Sequence, residues 1–181
     1  MERNTIEKIF NFLKEKEGKE LPKNWNIIER LENHPDDIQY RYDGILSLSH
    51  SNITKLPNDL YVDGSLFLVE TNITKLPDKL YVDRSLSLKG CGELTQLPDN
   101  LYVGGFLDLA NTNVTKLPNN LYVGDSLNLY GCKQIKDLPN NLQVGGDVLI
   151  TGTQLADKYT DEEIYDIVAS TGGTLIGKIF R

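Results

Sequence analysis

The side chains able to do chemistry are few. The 181-residue chain has two histidines, His34 and His50, and two cysteines, Cys91 and Cys132. Ser49, His50 and Ser51 are neighbours, which raises a nucleophile–base pair, because a hydroxyl becomes reactive when an imidazole takes its proton. Consecutive residues of a strand point to opposite faces, and no acid follows at a spacing that would orient the ring, so the pair is not expected. His34 precedes Pro35, near a helix end, where a solvated or dipole-facing imidazole is ordinary. The glycine pairs at 104–105, 145–146 and 172–173 lack the GxxxxGK(S/T) run that cradles phosphate. Acids such as Asp78, Asp99 and Asp137 are spread along the chain, and no GGxGxD-like calcium run occurs. The expectation is a chain without a metal, a cofactor or a catalytic site.

What must position these residues is a repeat. Leu-Pro pairs fall at 56–57, 76–77, 97–98, 117–118 and 138–139, in steps of 20, 21, 20 and 21 residues. Five units result, at 45–64, 65–84, 85–105, 106–125 and 126–146, and a sixth begins at Asp147 and loses the pattern. A period of this length marks a solenoid, in which each winding cannot bury its apolar side alone and must stack on its neighbours. Leu-x-Leu alternation, as in Leu66/Leu68 and Leu107/Leu109, predicts a strand with its leucines facing one core. A second short alternation, Leu60-Tyr61-Val62 and its equivalents, ends in turns such as Asp63-Gly64. Each winding therefore has two straight sides and two corners. Proline fixes φ and pushes the preceding residue away from helix, so the Leu-Pro corner is irregular or extended.

The units match LxxLxLxx(N/C)xL over roughly 40–155, with LxLxxTxI at 66–73 and 107–114 and LxLxxCxxL at 86–94. They resemble leucine-rich repeats, and the short LPxxLYVxG form is similar to repeats of uncharacterised bacteriophage and bacterial proteins. The resemblance implies an α/β-type repeat solenoid: a right-handed leucine-rich repeat stack of short parallel strands, mostly β, in five full windings and a partial sixth. It also implies recognition of another protein through the Leu-x-Leu side. The usual ladder Asn is replaced by Ser51, Thr71, Cys91, Thr112, Cys132 and Thr153, all small. The longer units are the two with Gly-Cys, so their additional residue is expected between the cysteine and the next apolar position. With strands ~4.7–4.9 Å apart, the cysteines sit about 10 Å apart, beyond the ~7 Å reach of a disulfide, and should be buried free thiols in a reducing compartment.

Open ends of a solenoid need caps. Residues 1–39 read as a helical N-terminal cap, with Ile6, Ile9, Phe10 and Leu13 on one face and a second segment carrying Trp25, Ile28 and Leu31. Residues 156–181 read as a C-terminal cap: Thr160-Asp161-Glu162-Glu163 is a capping box, Ile164, Ile167 and Val168 make an apolar side, and Thr174–Phe180 follows as a last strand.

Equivalent positions line up from winding to winding. Tyr61, Tyr81, Tyr102 and Tyr122 form an outward column, read as stacked aromatics that tie neighbouring strands, and Lys55, Lys75 and Lys116 form a solvated one. On the Leu-x-Leu side the outward positions vary while the inward ones do not, and several are apolar where a merely solvated sheet would carry polar groups. Phe67, Val69, Lys89, Phe106, Asp108, Asn128, Tyr130 and Leu149 are the candidate partner-binding residues. Nineteen Lys+Arg against twenty-six Asp+Glu leave a net charge of −7, which disfavours nucleic acid and anionic lipid. No run approaches the ~18–20 apolar residues of a membrane span, and the charged N-terminus is unlike a signal peptide. The reading is a cytoplasmic, non-catalytic binding module; the resemblance to phage and bacterial repeats implies further a phage or bacterial protein that modulates a host protein. A structural or self-assembling protein is the alternative, and an enzyme with its site in the caps a more remote one.

Overall fold

A computed structural model describes residues 40–181 apart from Pro57 and Asp59. The expected N-terminal cap, and His34 with it, lies outside the described residues. Among these, fourteen short strands run β1 (Tyr40–Asp43), β2 (Leu46–Ser47), β3 (Leu60–Asp63), β4 (Leu66–Phe67), β5 (Tyr81–Val82), β6 (Leu86–Ser87), β7 (Tyr102–Val103), β8 (Leu107–Asp108), β9 (Tyr122–Val123), β10 (Leu127–Asn128), β11 (Gln143–Val144), β12 (Val148–Leu149), β13 (Thr174–Leu175) and β14 (Ile179–Phe180). Two helices, α1 (Gln154–Lys158) and α2 (Asp161–Ser170), precede β13. The odd-numbered strands form one seven-stranded sheet and the even-numbered strands another. Every pairing is parallel and in register with the repeat: Tyr61 faces Tyr81, and Leu66 faces Leu86. The chain is a solenoid of stacked windings.

Each winding crosses directly from its odd to its even strand through a two-residue corner such as 64–65, and returns by a longer arc such as 68–80. The arc has an extended stretch of its own, where Lys55 and Lys75 form a parallel bridge. Hydrogen bonds between windings continue past the strand ends. Leu66 N–H donates to the Ser85 carbonyl, Leu68 to Ser87 and Glu70 to Lys89, each at 2.8 Å. The backbone polarity that solvent would otherwise satisfy is thereby paired inside the stack.

The core is made of columns. Leu46, Leu66, Leu86, Leu107, Leu127 and Val148 are all at most 3% exposed, and Val62, Val82, Val103, Val123 and Val144 at most 2%. At ~1.5–3 kcal/mol per buried aliphatic side chain, these columns supply the main driving force for stacking. The small-residue column is buried as well. Thr71 and Thr112 donate to the carbonyls of Leu68 and Leu109, three residues back, at 2.9 and 2.8 Å. Cys91 and Cys132 reach the same two carbonyls from the following winding, each at 2.9 Å. One leucine carbonyl therefore accepts a hydroxyl and a thiol, and the cysteines are free and buried. In the longer windings the additional residue makes a turn at the expected place: Leu94 N–H donates to Cys91 and Ile135 N–H to Cys132, both at 3.2 Å. The carbonyls this turn exposes are taken by side chains of the next winding, Asn113 onto Gly92 at 2.7 Å and Gln154 onto Lys133 at 3.0 Å.

The C-terminal segment extends the stack. Thr153 donates to Ile150 at 2.7 Å and caps α1 by accepting from Ala156 N–H at 3.3 Å, so one ladder residue also starts a helix. The capping box opens α2: Glu163 N–H donates to Thr160 Oγ1 at 3.2 Å and Thr160 N–H to Glu163 Oε2 at 2.7 Å. Ile164 and Val168 are buried on the core side of α2, and Ile167 is half-buried. Thr174–Phe180 is two strands and not one, because the chain turns the same corner there as in earlier windings. β13 joins the odd sheet, β14 the even sheet, and the helices replace the irregular arc. None of the described helices is long and apolar enough to cross a membrane.

Candidate protein-binding surface

The even sheet carries its outward residues in two registered columns. The first runs Ser47, Phe67, Ser87, Asp108, Asn128, Leu149 and Phe180. Phe67, Asp108, Asn128 and Leu149 are half-buried, and Phe180 is exposed. The second, two residues further along each winding, includes Val69, Lys89, Ala110 and Tyr130, of which Lys89 and Tyr130 are exposed and Val69 half-buried. Phe106 stands one step earlier, at the position that Ser85 and Ser126 take in adjacent windings, since Leu86 N–H donates to Phe106 and Leu107 N–H to Ser126. All eight candidates therefore lie on one sheet face or its near border. Ser87 and Ala110 also point outwards, yet are 9% and 3% exposed, small side chains shadowed by larger neighbours.

Two further residues of this surface are absent from the sequence-based candidates. Phe180, 48% exposed, follows Leu149 in register. Ile45, 56% exposed, occupies the Phe106 position of the first winding. Ile179-Phe180 does repeat the apolar pair of β12, and that pair was the available signal.

The polar groups of the face are ordered. Asn128 Nδ2 donates to Asp108 Oδ1 at 3.0 Å, and Ala110 N–H donates to the same oxygen at 3.0 Å. Ser87 Oγ approaches Asp108 Oδ2 at 3.4 Å, and Tyr130 N–H donates to Asn128 Oδ1 at 2.9 Å. Two aspartate-type side chains thus pin the backbone two residues ahead of them. Their own orientation is fixed in return, which lowers the entropy lost when a partner binds.

The reactive side chains are not brought together. His50 lies at a left-handed corner, φ 57°, with Nδ1 3.3 Å from Glu70 Oε2. Ser51 is buried and donates to Leu48, while Ser49 Oγ accepts from Val69 N–H at 3.1 Å. Neither hydroxyl bonds the imidazole. Burial pushes the Cys132 thiol above its ordinary value, opposite to the shift that activates a nucleophile. Among the described residues no three metal-ligating side chains converge.

On the odd sheet the tyrosines stack as a column. Ring centroids are 4.6 Å apart for Tyr61–Tyr81, 4.4 Å for Tyr81–Tyr102 and 4.9 Å for Tyr102–Tyr122, with interplanar angles of 5°, 9° and 1°. Burial, with a hydrogen bond to Tyr102, raises the Tyr81 phenol well above its usual range. At the head of the column Arg41 lies over the Tyr61 ring, 5.1 Å from its centroid, and pairs with Asp43 at 3.0 Å and with Asp63. The stacked rings link four consecutive windings.

A shallow open depression lies at the α1–α2 junction, lined by Asp157, Asp161, Glu162, Glu163 and Arg181 among others. Its groups are engaged structurally. Arg181 bonds Asp161 at 2.6 Å and also the carbonyls of Ala156 and Tyr159, and Glu163 closes the capping box. Compared with protein-family models, with curated proteins and with solved structures, the chain gives no significant match.

Proposed function

We propose that this chain is a non-catalytic protein-interaction module that binds another protein through the outer face of the even-numbered sheet and its borders. One observation carries the reading: inward positions of the even-numbered strands β2 to β12 are uniformly leucine or valine, while the outward positions of that face and its border change from winding to winding and include Phe67, Tyr130 and Leu149. Stacking alone explains the first set and makes no demand on the second. A rigid sheet loses little freedom on binding, so a few apolar anchors within a polar rim are enough for affinity. The net charge of −7 favours a protein over nucleic acid or an anionic membrane. The resemblance to leucine-rich repeats of phages and bacteria supports a narrower version, in which the chain acts in a bacterial cytoplasm on a host protein such as a defence factor.

The test is capture of partner from native-host lysate by the wild type and by Phe67→Asp, Phe106→Asp and Tyr130→Asp. Capture is lost while the circular dichroism is unchanged. Capture that survives all three substitutions removes this surface from consideration.

A second reading, self-assembly, is favoured by the C-terminal winding. Its inward residues Leu175 and Ile179 are only half-buried, and Ile176 and Phe180 are 73% and 48% exposed. The corresponding residues at the first winding, Tyr42 and Leu46, are 0% and 1% exposed. Light scattering over a concentration series distinguishes this reading, which requires mass to rise with concentration and to fall back on Ile176→Lys.

A further inference from the structure

We propose that Asp108, with Phe106 and Tyr130 beside it, is a receptor for an arginine side chain presented by the protein partner. The inference rests on the binding reading above and names the chemistry of its contact.

Asp108 stands near the middle of the sheet face, and the ion pairs among the described residues use Asp43, Asp63, Glu70, Asp78, Asp137 and Asp161 without reaching it. Its Oδ1 is held by two donors at 3.0 Å, which aim the carboxylate, while Oδ2 has only the 3.4 Å contact from Ser87. One acceptor edge therefore keeps capacity for a donor from outside. Around it the surface is low, since Ser87 and Ala110 are small and covered. Phe106 precedes Asp108 by two residues on the same winding. Tyr130, 48% exposed, is the next winding's counterpart of Ala110. A carboxylate with aromatic residues at neighbouring positions of one face suits a planar guanidinium, which can donate to the oxygen and lie against a ring at once. An ammonium offers a point charge without the flat face.

The odd sheet contains a related arrangement, with two carboxylates and one ring. Arg41 is gripped by Asp43 and Asp63 and lies 5.1 Å over the Tyr61 ring. There the arginine is internal and completes the head of the tyrosine column. On the even sheet the carboxylate and the rings are present, and the nearest cation of the face, Lys89 on the preceding winding, forms none of the ion pairs among the described residues, so the carboxylate stays open to a cation from the partner. Phe67 and Leu149, at either end of the polar stretch Ser87–Asp108–Asn128, suit apolar side chains flanking that arginine.

The test uses the full chain and random twelve-residue peptides selected on it by display. The best binder is then synthesised with arginine, with lysine and with citrulline, which keeps the shape and loses the charge. Selected sequences should share an arginine next to apolar residues. Citrulline should weaken binding ten- to a hundred-fold, the range of a hydrogen-bonded charge, and lysine should fall between. Asp108→Asn should weaken the arginine peptide by the same factor and leave the citrulline peptide unchanged. Peptides that lose binding on Phe67→Asp or Tyr130→Asp, yet lack arginine or ignore Asp108→Asn, overturn the arginine receptor and leave the surface standing. Peptides indifferent to all three substitutions overturn both, and a library that enriches no sequence counts against the receptor. Should Asp108→Asn not fold, the citrulline comparison on the wild type decides alone.

Discussion

The tyrosine column makes the stacking energetics measurable one winding at a time. Tyr81 has a ring on each side, at 4.6 and 4.4 Å, whereas Tyr122 stacks on Tyr102 alone, at 4.9 Å. An aromatic pair contributes ~0.5–1.5 kcal/mol beyond its area burial, so Tyr81→Ala removes two such terms, about 1–3 kcal/mol, and Tyr122→Ala removes one. Differences in burial between the two sites cloud the single substitutions, and a double-mutant cycle cancels them. For Tyr81→Ala with Tyr102→Ala the coupling should be ~0.5–1.5 kcal/mol. For Tyr81→Ala with Tyr122→Ala, two windings apart, it should be zero within ~0.3–0.5 kcal/mol. Urea unfolding followed by circular dichroism gives all the terms. Equal couplings for the adjacent and the separated pair would refute nearest-neighbour stacking as the role of this column.

Glu70 adopts φ 52° at a corner where other windings place Gly90, Gly131 and Gly152, with φ 73°, 69° and 73°; Glu70→Gly should therefore raise stability by ~0.5–1 kcal/mol, since the exposed contact to His50 contributes little. A lower urea midpoint for that variant would contradict the strain. At the corner between the sheets, a Cβ on Gly124 would stand 2.1 Å from the Gly104 carbonyl oxygen of the previous winding. Gly124→Ala must then push two windings apart, and a loss of about 3 kcal/mol is expected in thermal or urea unfolding; a neutral result would mean the windings are less close there. Both thiols should react with an aromatic disulfide reagent only on unfolding, and a non-reducing mass two hydrogens lighter would show instead that they had paired.

The stack was legible because repetition averages out local ambiguity. Leu-x-Leu at five or six equally spaced places leaves one register that buries every leucine, and the Thr and Cys column shares that register. The single-residue insertions were readable for the same reason, being departures from a known period. What repetition could not reveal lies where it stops. Thr174–Phe180 has no Leu-Pro arc before it, so the split into β13 and β14 was hidden, and Phe180 with it. The corner at His50 and Glu70 was obscured because glutamate does not favour a left-handed backbone and histidine signals it weakly; their alignment with Gly90, Asn111, Gly131 and Gly152 marks it. The two sides of the winding, read as separated by a tight turn and an irregular Leu-Pro corner, are joined by a two-residue corner and a long arc; the length of that arc was hidden because strand signals carry no angle between sheets. The surface is the least legible part, because positions free of the stacking constraint vary by nature.

Photo-crosslinking tests the account most directly. With p-benzoylphenylalanine in place of Tyr130 on the even sheet, and separately in place of Tyr122 on the odd sheet, both sites are exposed, at 48% and 38%. Irradiation in host lysate should attach a protein at position 130 and leave position 122 bare. Attachment at 122 with none at 130 would put the partner on the other face of the stack and contradict the account.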